Sequence, residues 1–319
     1  MLGTAVPIVL APMGGVAGGA LAAAVSRAGG LGMVGAGYAD PERLAAELRV
    51  ARGARVGCGF ITWYLEREPR QLDVALDHQV AAVMLSFGEV RRFAPRVHAA
   101  AIPLICQVSG RDEAAEALDS GAEVIVAHGG EGGGHGVHLR STLTLVPELC
   151  DLVHERGHPV PVLAAGGVAD GRGLAAVLAL GAAGAVVGTR FAATAEAAVS
   201  PAAHRRMVRA RGDDTLTTRV YDDVRGVNWP DGYASRVLRS RFTDAWDRKG
   251  TGSVPVEHLY EATEEFRDGT RRDDPETVLV HAGEGVGVIG RTESAATVVE
   301  VMAAEARGVI DSLDGHPRL

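Results

Sequence analysis

Residues 127–137 read AHGGEGGGHGV, and they follow the apolar run EVIVA at 123–127. That run reads as a buried parallel strand. The stretch after it sets five glycines between His128 and His135, a composition that can neither propagate a helix nor pack a core. Such a loop lets backbone come close to another molecule, and its most reactive side chain is the imidazole of His135. A buried strand ending in a loop of this kind predicts an α/β architecture with its chemistry at the carboxyl ends of parallel strands.

The same unit repeats on either side. Apolar segments at 6–10, 32–35, 55–61, 81–86, 103–108, 123–127, 160–165 and 184–187 are each followed by an Ala- and Leu-rich helical segment, at 19–28, 41–51, 69–78, 90–100, 112–120, 143–156, 171–180 and 193–211. Asp40-Pro41 with Glu42 is a helix start, and Gly29, Gly121 and Gly181 stand just past helix ends. Eight βα units with strands apolar on both faces predict a TIM (β/α)8 barrel over residues 1–211. A doubly wound open sheet is the alternative arrangement of the same units.

Composition narrows the function. The formal net charge of the 319 residues is −8, with Lys and Arg interspersed among Asp and Glu, which gives no footprint for nucleic acid. No run approaches the ~18 uninterrupted apolar residues of a membrane span. The apolar N-terminus has no basic residue before Arg27 and is broken by Pro7 and Pro12, so we read it as a strand and helix, not a signal peptide. Cys58, Cys106 and Cys150, odd in number and far apart, fit a reducing cytoplasm better than a disulfide framework. Lys249 is the only lysine and lies far from any strand end, which removes Schiff-base barrel chemistry and the phosphate-loop GxxxxGK[ST]. The expected assembly is a monomer or homodimer.

From about Gly212 the βα rhythm stops. Residues 212–281 carry two of the three tryptophans and the polar run RVYDD at 219–223, and are expected to fold over the barrel as a lid or side segment. Residues 282–319 close the chain with a glycine turn and a helix at 294–312. In that turn GVGVIG at 285–290 spells GxGxxG, but too few residues follow to complete a βαβ unit with its acidic residue. We read it as a packing turn.

In a barrel the functional groups collect just after the strands. The first strand ends in Ala11, Pro12 and Met13, the fifth in Gln107, the sixth in the loop from His128 to His135, the seventh in Gly166-Gly167 and the eighth in Gly188-Thr189-Arg190. Glycine turns after strands seven and eight let backbone N–H groups converge on a phosphate. His135 reads either as a catalytic imidazole or as a loop histidine hydrogen-bonded to the lid. Gln107 reads either as a core amide or as a ligand for a ring or hydroxyls. Arg190 reads as a structural ion-pair partner, Glu131 as a loop anchor, and Cys58 and Cys106 as buried strand residues. His128, Glu131, His135 and His138 are metal-ligand types, but HExxH is absent and no helix or strand is expected to set them on one face. No metal is expected.

In this order the motifs APMGG at 11–15, AGGLG at 28–32, EGGGH at 131–135, PVLAAGGVADGRG at 161–173 and GTRF at 188–191 resemble the nitronate monooxygenase family, formerly called 2-nitropropane dioxygenases, which are FMN-dependent β/α barrels. The resemblance implies that Ala11, Pro12 and Met13 line the flavin ring. Gln107 would reach the ring's polar edge or the ribityl chain, Gly133, Gly134 and His135 would flank the ring, and Gly166, Gly167, Gly188 and Thr189 would hold the FMN phosphate. His135 matches the family's active-site histidine. The implied reaction oxidises an alkyl nitronate, or a nitroalkane, with O2 to a carbonyl compound and nitrite. Two departures stand out: Gly132 and His128 replace the alanine and glutamine common in the family, and Gly59 lies in a strand end where many relatives place an asparagine. An FMN-dependent NAD(P)H reductase of a quinone or enoyl thioester, and a non-redox phosphate-binding barrel enzyme, remain as other readings.

Overall fold

A computed structural model describes residues 2–157, 159–247 and 252–314. Lys249 lies outside the described residues. The strands are β1 (Ile8–Leu10), β2 (Gly32–Gly35), β3 (Val56–Ile61), β4 (Val83–Ser86), β5 (Leu104–Val108), β6 (Val124–His128), β7 (Gly134–Gly136), β8 (Val162–Ala165), β9 (Gly184–Val187), β10 (Thr215–Thr218) and β11 (Ala234–Leu238). Eight of them form one parallel sheet in the order β1-β9-β8-β6-β5-β4-β3-β2. The sheet closes on itself where Leu10 N donates to Leu31 O at 2.9 Å and Leu31 N to Ile8 O at 3.0 Å. Closure removes both sheet edges and excludes the open-sheet alternative.

Side chains alternate along each strand, so the barrel has two apolar layers. Val9, Met33, Met84, Ile105, Val124, Val126, Leu163 and Val186 fill the interior. Ile8, Leu10, Val34, Cys58, Leu85, Leu104, Ile125 and Ala185 face outward and pack under the helices. The same alternation carried to the carboxyl ends sets the inward position at Ala11, Gly59, Ser86, Gln107, His128, Ala165 and Gly188, each of which lines the cavity at the barrel mouth. The floor of that cavity is therefore small side chains plus Ser86, Gln107 and His128.

Helices follow the strands as expected, with breaks in the fourth and last units; the segment at 90–100 is a 3-10 turn, Val90–Arg92, and a short helix, Ala94–Ala99. The segment at 193–211 is not one helix: Thr189–Ala192 forms a single turn, and a second helix, Pro201–Met207, starts at Ser200, whose hydroxyl accepts from Ala203 N at 3.2 Å. The pair Ser200-Pro201 is a helix start, and it overrides the apolar periodicity running through it.

After Gly212, β10 pairs antiparallel with β11, and β11 pairs antiparallel with β7. A strand within the glycine-rich loop thus joins a three-stranded sheet with chain from 215–238. Val220, Tyr221, Val224, Val237, Phe242, Trp246 and Ala262 give this later part its own small core. The turn at 284–288 is a 3-10 helix, and a Cβ on Gly285 would lie 2.9 Å from Gly167 O, so the glycine there permits close packing. The closing helix is Ala295–Asp314. Among the described residues no helix is long and apolar enough to cross a membrane.

Candidate active site

A cavity of about 500 Å³ opens above the barrel floor. Ala11, Pro12, Met13, Gln107, Gly133, Gly134, His135, Gly166, Gly167, Gly188 and Thr189 all line it. Its volume falls in the ordinary range of a small-molecule or cofactor site, about 300–1,000 Å³. The loop at 11–15 reaches over the mouth because Gly59 beneath it has no side chain; a Cβ there would stand 2.3 Å from Pro12 Cβ. Any side chain at 59 would displace Pro12.

The rim after β8 and β9 is backbone. Gly166 and Gly167 both have positive φ, +100° and +76°, a conformation that costs a glycine little and other residues much. They turn the chain without placing a side chain in the cavity. Thr189 is fixed by accepting from Gly283 N at 3.0 Å through its hydroxyl oxygen. Arg190, at the same strand end, forms a half-buried ion pair with Glu293 and so ties β9 to the segment before the closing helix.

The loop after β6 is held at four points. Glu131 accepts from Thr142 N and Thr142 Oγ1, each at 3.0 Å, at the start of the helix Thr142–Glu155, where a carboxylate also meets the positive end of the helix dipole. Its role as an anchor follows from those bonds. Arg236 donates to Gly130 O at 3.1 Å, Glu284 N donates to Glu131 O at 3.0 Å, and the single ring N–H of His138 donates either to Gly130 O at 3.0 Å or to Ala234 O at 3.1 Å. The expectation that no strand fixes this loop is corrected: Gly134–Gly136 is a strand because β11 supplies hydrogen-bond partners, although Gly-His-Gly has no strand propensity of its own.

His135 is paired directly opposite Ser235 in that sheet, and its two readings prove compatible. The imidazole lines the cavity, and its Nε2 lies 3.0 Å from both carboxylate oxygens of Asp222, a residue 2% exposed on the helix Val220–Arg225. Trp229 stacks on the ring, with centroids 3.7 Å apart and planes within 10°. The Trp229 indole N–H in turn donates to Tyr38 OH at 2.7 Å. Burial pushes the Tyr38 phenol well above its usual range, so it stays a neutral acceptor and donor. Trp63, Tyr64, Phe87 and Tyr233 complete an aromatic cluster around this pair.

A second imidazole, His281, stands 5.7 Å from His135 and also lines the cavity. Burial pushes its pKa down to about 3, with His135 and Arg225 adding to the shift, and its Nδ1 lies 3.0 Å from Ser235 Oγ. His128 on the floor is held at about 4 by burial, with His138 adding. Both are neutral at pH 7. The ring of His128 also explains Gly132: a Cβ at 132 would sit 2.5 Å from His128 Nε2. The two departures in this loop are therefore in direct contact. Cys106 is pushed up to about 12 and Cys58 higher still by burial, so neither thiol is a nucleophile. Among the described residues no group of three or more His, Cys, Asp or Glu is placed to hold a metal ion.

Asp222, Trp229, Tyr38 and His281 are the site residues that sequence reasoning did not assign. Asp222 lay within the polar run at 219–223 and Trp229 within the aromatic-bearing segment, but neither has a spacing that ties it to His135.

A closed barrel with a cofactor-sized cavity at its strand ends and a buried His–Asp pair beside it defines a β/α-barrel enzyme. The comparisons with known proteins make this specific: the chain belongs to the nitronate monooxygenase family, whose model, described as nitronate monooxygenase, matches residues 1–57 and 61–305. The family is one of oxidoreductases. The chain is 35% identical over 340 residues to a nitronate monooxygenase of Metarhizium robertsii, covering 97% of this chain and 93% of that protein. Among solved structures it is similar to a nitroalkane oxidase of Streptomyces ansochromogenes, with a TM-score of 0.82 and 27% identity over 98% of each chain. It is also similar to FabK of Thermotoga maritima, with a TM-score of 0.84 and 28% identity over 98% of this chain and 96% of that one.

Proposed function

We propose that the protein is an FMN-dependent nitronate monooxygenase that uses O2 to convert alkyl nitronates, and the nitroalkanes they derive from, to carbonyl compounds and nitrite. The observation that carries this reading is the position of His135, which faces the same cavity as the glycine backbone at two neighbouring strand ends, β8 and β9. The residues fit a flat ring with an anionic tail. Gly166 and Gly167 present backbone rather than side chains to the cavity, Gly188 and Thr189 extend the same rim, and Ala11, Pro12 and Met13 offer an apolar wall. In this reading the rim holds the phosphate, the wall and Gly133-Gly134 hold the ring, and Gln107 meets its polar edge.

When bound, FMN supplies the one-electron oxidation of the nitronate and the return of that electron to dioxygen. The chain supplies the rest. His135 takes the α-proton of a neutral nitroalkane, or as imidazolium holds the negative charge of a nitronate. The aromatic cluster around Trp229 excludes water and so strengthens each charge interaction. The 212–281 segment acts as the lid that brings Trp229 and Tyr233 against the aromatic side chains of the barrel.

The visible spectrum of the purified protein tests the cofactor, and anaerobic mixing tests the substrate. Bleaching of a flavin band by a nitronate but not by NADH is expected. Rapid bleaching by NADH would instead favour a reductase, and a colourless protein that cannot be reconstituted with FMN would overturn the reading.

A further inference from the structure

A carboxylate can only accept hydrogen bonds, so the contact of both Asp222 oxygens with His135 Nε2 requires the imidazole to carry its proton there. The neutral ring then has its lone pair on Nδ1. Two constraints fix it. Asp222 sets the rotation of the ring within its plane, and Trp229, stacked at 3.7 Å, sets the orientation of the plane itself. Asp222 is 2% exposed and sits on a helix whose own core includes Tyr221 and Val224, so it does not move independently of that helix. His281, the other imidazole nearby, is occupied at Nδ1 by Ser235 and does not compete for the carboxylate.

From this geometry we propose that Asp222 is a positioning residue which holds His135 as its Nε2–H tautomer, so that Nδ1 is the atom that takes the substrate's α-proton. In that step the carbon–hydrogen bond of the nitroalkane breaks and its electron pair moves into the nitro group, giving a nitronate. The proton forms a bond to Nδ1, and the resulting imidazolium is stabilised by the Asp222 carboxylate and by the face of the Trp229 ring. The proposal rests on the nitronate reading for its substrate, but the tautomer does not.

Asp222→Asn keeps the shape and reverses the bond, because the amide donates its N–H to Nε2 and drives the ring proton to Nδ1, where it blocks the base. On 15N-histidine-labelled protein, Nδ1 of His135 is expected to show the shift of an unprotonated ring nitrogen in the wild type and of a protonated one in Asp222→Asn. Turnover of a neutral nitroalkane should fall at least ~100-fold in the variant, the lower end of what a general base contributes, while turnover of the preformed nitronate changes less than ~10-fold. Asp222→Glu should recover part of the loss. An Nδ1–H tautomer in the wild type, or equal losses on both substrates with the tautomer unchanged, would overturn the proposal and leave Asp222 a structural latch. A wild type that turns over neither substrate yet shows the Nε2–H tautomer would overturn the nitronate reading and the assignment of the proton acceptor, while supporting the placement of the proton by Asp222.

Discussion

Replacing Gly132 with alanine restores the residue common in the family, and in this chain it should destabilise the protein. The added Cβ would lie 2.5 Å from His128 Nε2 and 3.2 Å from Gly129 O, against an ordinary contact that begins at 3.4 Å. The ring also lies beside Gly136, where an added Cβ would stand 3.1 Å from His128 Cε1. Because His128 lines the cavity, the ring can shift into it. Overpacking of this kind costs about 1–3 kcal/mol. His128→Gln, which replaces the ring with a slimmer amide, removes the obstacle, so the double variant should be more stable than the sum of the two single costs predicts. The expected coupling is about 1–3 kcal/mol, in the upper part of the range for residues in direct contact. Urea unfolding of the wild type, both single variants and the double variant measures it, and bound flavin followed in parallel shows whether the ring has swung into the cavity. Costs that add to within about 0.5 kcal/mol would refute the idea that the two residues changed together.

Three further outcomes follow from the site. His135→Ala should retain flavin yet lose turnover of neutral nitroalkanes far more than of preformed nitronates; equal loss on both, measured by oxygen uptake, would remove the base role. Gly167→Asp places a carboxylate at the proposed phosphate rim, on a backbone with φ of +76° and beside Glu131, and should yield apoprotein; a normal flavin-to-protein ratio would contradict that placement. Stability should fall in acid, because His128 and His281 have folded pKa values of about 4 and about 3 against 6.5 for the free side chain. Below about pH 6.5 the unfolded chain binds protons that the native state refuses, so each group removes ~1.4 kcal/mol per pH unit until its folded pKa is reached. His281→Gln should flatten the fall in urea midpoint between pH 6.5 and 4, and a slope parallel to the wild type would rule out His281 as a contributor.

The barrel and most of its rim were legible in the sequence because both depend on local periodicity. Strand alternation carried Gln107 and His128 to the inner face of the mouth, and tight turns at Gly166, Gly167 and Gly188 announced themselves by composition. The surroundings of His135 were not legible. Asp222 reaches it across 87 positions of sequence, through the pairing of β11 with a glycine-rich segment whose residues do not favour a strand. Nothing local in either segment encodes that pairing; it comes from hydrogen-bond partners supplied by distant chain. The break before Pro201 is a different case. Its signal, Ser200-Pro201, was present and was outweighed by the apolar rhythm of the surrounding residues.

The seam between β7 and β11 has a consequence for timing. The histidine belongs to the barrel, but the carboxylate that orients it and the indole that covers it belong to chain made about ninety residues later. If the later part lifts to admit a substrate, the imidazole loses its orientation in the same movement. Entry and proton abstraction would then be mutually exclusive states, and no acidic carbon would be deprotonated while the chamber stands open to water.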